Sequence, residues 1–193
     1  MEICFASHNQ HKIAELNQLL FGIHKVIGLD DIGVQEEIPE TGNTFEENSR
    51  IKAKYVYDRF KIPVFADDSG LCVESLDGAP GVYSARYAGE ERDDQKNIDL
   101  LLANLEDSKN RNAYFAAVIT FIDSSGIEIQ LKGEVMGSIL RARTGNGGFG
   151  YDPVFQPNGY TVSFAQMSSE EKNKISHRAL AVKKLINHLS ANG

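Results

Sequence analysis

The sequence predicts an α/β protein, a mixed β-sheet flanked by helices, and three observations carry that expectation. Short apolar runs rich in β-branched and aromatic residues alternate with stretches of helical apolar spacing through the first half of the chain. Two β-rich runs, 113–123 and 126–135, are then joined by Asp123-Ser124-Ser125-Gly126 and read as a hairpin. A hairpin among interleaved helices and strands argues against a purely parallel sheet.

Taken in order, 2–6 reads as a strand, and Ile13, Leu16, Leu19 and Leu20 follow at helical spacing. Residues 24–29 read as a second strand and 30–42 as a loop. Thr44 and Glu47 form a capping-box pattern that opens a helix running to about Phe60. The apolar run 62–66 reads as a buried strand, ending at Asp67-Asp68-Ser69-Gly70, with 71–75 as a further strand. The Gly-rich 77–91 is a long structured loop, and Asp93 can cap a helix carrying Ile98, Leu101, Leu102 and Leu105. Residues 141–151 are Gly-rich, and 168–189 reads as helix, with Ser168 and Glu171 as another capping box. Its apolar stripe is Ile175, Ala179, Val182, Ile186 and Leu189.

A chain of 193 residues suits one domain spanning 1–193, enough to bury about 70% of its unfolded surface. Its 41% hydrophobic and 24% charged residues are ordinary for a globular protein. The net charge of −7, without a block of like charges, argues against nucleic acid as a partner, which needs a basic face. Anionic small molecules stay compatible through local Lys and Arg. Cys4 and Cys72 lie in apolar stretches without metal-ligand spacing, as expected of reduced, buried thiols. The N-terminus lacks a charged flank before a long apolar segment, and no run approaches membrane-spanning length. The expectation is a cytoplasmic protein with no membrane partner.

Asp67 and Asp68 are the most telling pair. Adjacent carboxylates at the carboxyl edge of a sheet sit where α/β proteins bind ligands, and burying both is costly without a cation. Mg²⁺, a hard ion that takes oxygen ligands and arrives with phosphates, resolves that cost; a solvated turn is the plainer alternative. Ser7, His8, Asn9, Gln10, His11 and Lys12 join the first strand to the first helix and read either as a phosphate-binding turn or as a simple cap. Glu40 is a candidate second metal carboxylate. Asn48 and Lys52 share one helical face, from which Lys52 either reaches a phosphate or pairs with an acid.

Gly145-Asn146-Gly147-Gly148-Phe149-Gly150 matches a dinucleotide fingerprint, but Pro153 discourages the helix that fingerprint needs. The glycines still admit a flat ligand, with Phe149 and Tyr151 to stack on a base, unless one ring is tucked into the core. Lys172 and His177 lie about 140° apart on an ideal helix, so either the helix breaks near Ser176 or the two touch different parts of a ligand. Lys172 and Arg178 suit phosphates, and His177 suits a base or phosphate; a solvated amphipathic face is the alternative.

These pieces occur in a set order. Ser7-x-Asn9-x-x-Lys12 is followed by Glu40-Thr41-Gly42-x-Thr44-Phe45-x-Glu47-Asn48 with Lys52-Ala53, and then by Ala66-Asp67-Asp68-Ser69-Gly70-Leu71. Gly78-Ala79-Pro80-Gly81-Val82-Tyr83-Ser84-Ala85-Arg86 comes next, then Gly147-Gly148-Phe149-Gly150-Tyr151-Asp152-Pro153, then Glu171-Lys172-x-x-Ile175-Ser176-His177-Arg178. Together they closely resemble the inosine/xanthosine triphosphate pyrophosphatase family, over nearly the whole chain.

The resemblance implies an elongated mixed sheet in two lobes with a central nucleotide cleft, and a Mg²⁺-dependent homodimer. The reaction it implies is hydrolysis of ITP, dITP and XTP to the monophosphate and pyrophosphate. Asp68 matches the family's proton acceptor and a metal ligand, and Glu40 a further metal carboxylate. Ser7 to Lys12, Ser69, Phe149, Gly150, Tyr151, Asp152, Lys172, His177 and Arg178 match nucleotide-contacting positions, and 78–89 a region near the dimer contact. His8 departs from the pattern, standing where relatives carry a small or short polar residue. Two other readings are a nucleotide sensor without catalysis and a house-cleaning pyrophosphatase for modified pyrimidines.

Overall fold

The structure is a computed structural model that describes residues 2–20 and 25–191. Its elements are β1 (Glu2–Phe5), α1 (Gln10–Leu20), β2 (Lys25–Ile27), α2 (Phe45–Phe60), β3 (Val64–Val73), α3 (Asp94–Asn104), β4 (Asn112–Ile122), β5 (Glu128–Ile139), β6 (Phe155–Pro157), α4 (Ser169–Ile175) and α5 (His177–Ala191). The six strands form one sheet in the order β2-β1-β3-β4-β5-β6. β1 runs parallel to β2 and to β3, whereas β5 and β6 are antiparallel, so the sheet is mixed as the sequence predicts.

The chain divides into two compact units, the first built from Met1–Asp68, Ala117–Gly133 and Arg178–Gly193 and the second from Ser69–Ala116 and Glu134–His177. In the first, Leu16 and Leu20 of α1 pack with Phe5, Phe65, Ile119, Val182 and Leu185, and the rings of Phe5 and Phe65 stack at 4.9 Å. A second cluster there joins Ala53 and Val56 of α2 to Cys4, Val64 and Ile122. In the second unit, Ile98 and Leu101 of α3 pack with Leu71, Val73, Phe115, Phe155 and Phe164. Among the described residues no helix is long and apolar enough to cross a membrane.

Several boundaries follow the local signals. α2 ends at Phe60, and Thr44 caps it by accepting from Glu47 N at 3.1 Å. The Glu47 carboxylate reaches one residue further back than a capping box does, to Asn43 N at 2.6 Å. Asp93 caps α3 by accepting from Gln95 N and Lys96 N. The box at Ser168 and Glu171 is complete. β4 and β5 are sheet neighbours joined through the predicted turn, where the Asp123 carboxylate accepts from Ser125 N and Ile127 N.

Other expectations are corrected. Asp67-Asp68-Ser69-Gly70 does not terminate a strand: β3 continues through it to Val73, and the expected strand at 71–75 is the end of the same element. The strand can continue because β3 lies between β1 and β4, where both faces are covered, and because cations from distant segments meet the two carboxylates. The second strand is Lys25–Ile27, shorter than expected, and His24 lies outside the described residues. The C-terminal helix is two helices. Ser176, buried with extended backbone (φ −65°, ψ 151°), ends α4 and lets α5 start at His177. The break also splits the apolar stripe: Ile175 packs in the second unit's core, and Val182, Ile186 and Leu189 in the first.

Candidate active site

The first unit gathers ionic groups around β3. Asp67 is fully buried, and both of its oxygens are engaged. Lys12 Nζ donates to Oδ1 at 3.1 Å and Arg178 Nε to Oδ2 at 3.2 Å. The Arg178 guanidinium also donates to Glu15 of α1. Lys12 reaches inward because its helix starts at the right place: Asn9 Oδ1 accepts Lys12 N at 3.1 Å and Ser7 Oγ accepts Asn9 N at 3.1 Å. The 7–12 segment is therefore a capped helix start whose Lys is only 13% exposed at the side chain, not solvated. His8 Nε2 donates to Glu36 O at 3.2 Å, while Gln10 and His11 are exposed.

Asp68 meets a different set of partners. Asn48 Nδ2 donates to its Oδ2 at 3.1 Å, and Lys52 Nζ lies 3.8 Å from its Oδ1. Lys52 also donates to Glu40 Oε1 at 2.5 Å. Asn48 and Lys52 do share one face of α2, as their spacing predicts.

The two adjacent aspartates are driven apart electrostatically. Burial would raise the Asp67 carboxyl, but Lys12, Arg178 and Lys52 together hold it well below the usual carboxylate range. Burial dominates at Asp68, and despite Lys52 and Lys12 its carboxyl is raised, with Glu40 adding to the rise. Burial also acts on Glu40, where Lys52 and Lys12 prevail and lower it. Neighbouring titratable groups pushed in opposite directions are the arrangement that an acid–base site uses, and a structural ion network produces it too.

The same groups bear on a cation. Lys12, Lys52 and Arg178 stand against Glu15, Glu40, Asp67 and Asp68, which leaves one negative charge. With all four acids ionised, a cluster of that sign gains by taking up a cation before it meets a polyphosphate. Among the described residues no group of three His, Cys, Asp or Glu side chains is arranged to hold a metal. Asp68 and Glu40, linked through Lys52, are the carboxylates at hand. One or two carboxylates completed by phosphate oxygens and water is the Mg²⁺ pattern, unlike the closed sets of structural zinc.

The second unit holds a separate polar group. Lys172 Nζ donates to Asp152 Oδ2 at 2.7 Å, with both side chains buried. The ammonium also lies 4.9 Å from the Phe149 ring centroid and 5.7 Å from that of Phe164, a cation–π arrangement. Asp152 Oδ2 accepts Phe149 N at 3.0 Å. Gly148 is indispensable here: its φ is +70°, and a Cβ would lie 2.0 Å from Asp152 Oδ2. Gly150 N donates to Asp94 Oδ2 at 2.8 Å.

His177 is buried, its ring stacked 4.7 Å from Phe115 at 10°. Tyr151 lies in the core, and its hydroxyl donates to Ser84 O at 2.8 Å. Burial pushes its phenol upward. A ring so committed leaves Phe149 as the loop's half-buried aromatic. Ser69, next to Asp68 on β3, is half-buried.

Sequence reasoning expected Lys12, Lys52 and Lys172 together around Asp68 and Glu40; the structure shows Lys12, Lys52, Asp68 and Glu40 gathered at β3, and pairs Lys172 with Asp152 beside Phe149 in the second unit. Arg178, expected at a nucleotide, spans Asp67 and Glu15. Glu15 and the linking role of Asn48 were missed. No local spacing announced the former, whose partner Arg178 lies 163 residues further along the chain.

A mixed sheet with paired acids among lysines on its central strand makes this an α/β protein with a buried ionic site. The sequence model of the Ham1 family matches residues 3–188, and the chain belongs to that family. It is 50% identical over 186 residues to the dITP/XTP pyrophosphatase of Flavobacterium psychrophilum, covering 96% of this chain and 97% of that protein. It is 49% identical to the dITP/XTP pyrophosphatase of Porphyromonas gingivalis, covering 95% of each. Among solved structures, the Ham1 protein of Staphylococcus aureus superimposes with a TM-score of 0.92 at 40% identity, covering 100% of both chains.

Proposed function

We propose that this chain is a Mg²⁺-dependent nucleoside triphosphate pyrophosphatase. It hydrolyses ITP, dITP and XTP to the monophosphate and pyrophosphate and so removes non-standard purines from the nucleotide pool. The observation that carries the reading is the pair Asp67–Asp68: one carboxylate fixed as an anion, its neighbour raised, with Lys12, Lys52 and Glu40 around them. The names of the relatives support the substrate class.

The roles we assign follow from the chemistry. Asp68 orients the attacking water and accepts its proton. Asp67 stays ionised and keeps Lys12 and Arg178 in register. Lys12 and Lys52, with backbone N–H groups and side chains from Ser7 to His11 at the start of α1, offset phosphate charge. Glu40 and Asp68 would hold the divalent ion, which would supply charge neutralisation and polarisation of the phosphate tail. In the second unit, Phe149 offers a ring face to the base, and Lys172, His177, Asp152 and the backbone at Gly150 and Tyr151 offer polar groups. Ser69 contributes a hydroxyl beside Asp68. Donors set for a six-position oxo group are left unmatched by the amino group of adenine, a strong basis for rejection. We assign one catalytic domain to residues 1–193, a homodimeric state, and a cytoplasmic location in keeping with Cys4 and Cys72, buried thiols that form no disulfide.

The test is incubation with ITP, dITP, XTP, ATP and a modified pyrimidine triphosphate, with and without Mg²⁺, in ¹⁸O-labelled water. Monophosphate and pyrophosphate are quantified, and the label is located. The reading expects Mg²⁺-dependent pyrophosphate from the oxo-purines and label in the monophosphate, as attack at the α-phosphorus requires. Orthophosphate release, or ATP turned over as fast as ITP, refutes it. Light scattering on the eluting protein checks the dimer.

A further inference from the structure

We propose that Asn48, seated against Gly42, is a positioning residue for this reaction: its amide ties the Glu40 loop to Asp68 and fixes which Asp68 oxygen meets the metal and the attacking water. The inference rests on the function proposed above and gives a role to Gly42 and Asn48, two residues of the Glu40 motif that carry none so far.

Asn48 is completely buried on α2. Its Oδ1 accepts Gly42 N at 2.8 Å. An amide has one oxygen and one NH₂, so a backbone donor on the oxygen settles which way the group faces. The NH₂ is therefore turned to Asp68, where Nδ2 donates to Oδ2 at 3.1 Å. Oδ2 is held as an acceptor, and Oδ1 is the oxygen on the Lys52 side, 3.8 Å from Nζ. Gly42 stands two residues beyond Glu40, whose carboxylate bonds the same Lys52. One amide thus connects the two carboxylates assigned to the metal.

Two further observations show that this amide is built to be rigid. A Cβ on Gly42 would lie 2.8 Å from Asn48 Oδ1, 3.1 Å from Asn48 N and 2.6 Å from Glu47 Cβ. Gly42 has no left-handed backbone to excuse its glycine, so the residue is there for room. On the other flank Ser49 Oγ and Thr120 Oγ1 share a hydrogen bond of 2.7 Å in the buried interior, which pins the next residue of α2 to β4. A carboxylate held to its productive rotamer in this way is what positioning a reacting water demands, and displacement of about 1 Å can cost ~100-fold.

The experiment compares Asn48→Ala, Asn48→Asp and Gly42→Ala with the wild type. It measures kcat and KM on ITP, melting temperature, and Mn²⁺ binding without nucleotide by electron paramagnetic resonance. Asn48→Asp keeps the volume and the acceptor for Gly42 N but replaces the donor to Asp68 with a like charge. The proposal expects kcat to fall about 100-fold in Asn48→Ala and Asn48→Asp with KM within about threefold, and Mn²⁺ affinity to fall about tenfold in Asn48→Ala. Gly42→Ala, which displaces the amide without removing it, follows in the same direction. A purely structural tether lowers the melting temperature while kcat and Mn²⁺ affinity of the folded protein stay at wild-type values, and that result overturns the proposal. Should Asn48→Ala not fold, Asn48→Asp and Gly42→Ala decide it. A wild type that releases no pyrophosphate refutes the proposed function, and Mn²⁺ affinity alone then judges Asn48.

Discussion

Asp67→Asn removes one negative charge from a place where water is excluded and leaves Lys12 Nζ and Arg178 Nε, formerly 3.1 and 3.2 Å from its oxygens, facing a neutral amide. Breaking a buried ion pair from one side costs about 3–5 kcal/mol, because the remaining partner keeps its desolvation penalty. With a urea slope of about 2.5 kcal/mol/M, the denaturation midpoint at pH 7 should drop by about 1.5 M. The pH dependence gives a second handle. The folded Asp67 carboxyl lies below its unfolded value, so its contribution is complete above the unfolded pKa of about 3.9 and is lost as pH falls below it. One such group steepens the acid limb by up to about 1.4 kcal/mol per pH unit, and Asp67→Asn removes that share. Adding Lys12→Met to Asp67→Asn should return part of the loss, since one stranded cation disappears. If Asp67→Asn unfolds within 1 kcal/mol of wild type at pH 7 and retains the full acid limb, the account of this cluster is wrong.

Asp68→Asn should lower turnover of ITP by about 10²–10⁴-fold while leaving nucleotide binding measurable by calorimetry, as expected when a general base is lost; undiminished turnover removes Asp68 from that role. Ser49→Ala or Thr120→Val alone should cost only about 0.5–1.5 kcal/mol, because Ser49 Oγ keeps Glu46 O and Thr120 Oγ1 keeps Gln130 Nε2, and the double variant should cost less than the sum of the two, a coupling read from a double-mutant cycle of urea melts. Cys4 is buried, with its thiol pushed up to about 12 first by desolvation and then by Asp31, and Cys72 is 5% exposed. A thiol reagent at pH 8 should therefore label neither in the native protein and both in urea, counted by mass spectrometry.

Local chemistry was read well where it acts locally. Thr44, Asp93 and Ser168 each cap a helix where their side chains suggest, because a cap needs only the next three residues. The course of β3 was misread for the opposite reason. Asp-Asp-Ser-Gly carries turn-forming residues, and what keeps it extended and buried arrives from 55 and 111 residues away, as Lys12 and Arg178. Lys172 has the same history: on its own helix it looks like a solvated lysine, and Asp152, 20 residues earlier, draws it inside. Tyr151 could be placed between ligand and core only once Ser84 O was seen to take its hydroxyl. The break at Ser176 was visible as a conflict of angles between Lys172 and His177, and the structure resolves it as two helices.

Lys12, Asp67, Arg178 and Glu15 form a neutral run of three ion pairs drawn from two helices and a strand. Asp67 and Arg178 stand inside the run, each with two partners, so a change at either breaks two buried contacts at once, whereas a change at Lys12 or Glu15 breaks one. Divergent descendants of such a protein should either retain Asp67 and Arg178 or exchange them as a pair, and a directed-evolution library randomised at one position at a time should return the parental residue more strictly at these two than at Lys12 or Glu15.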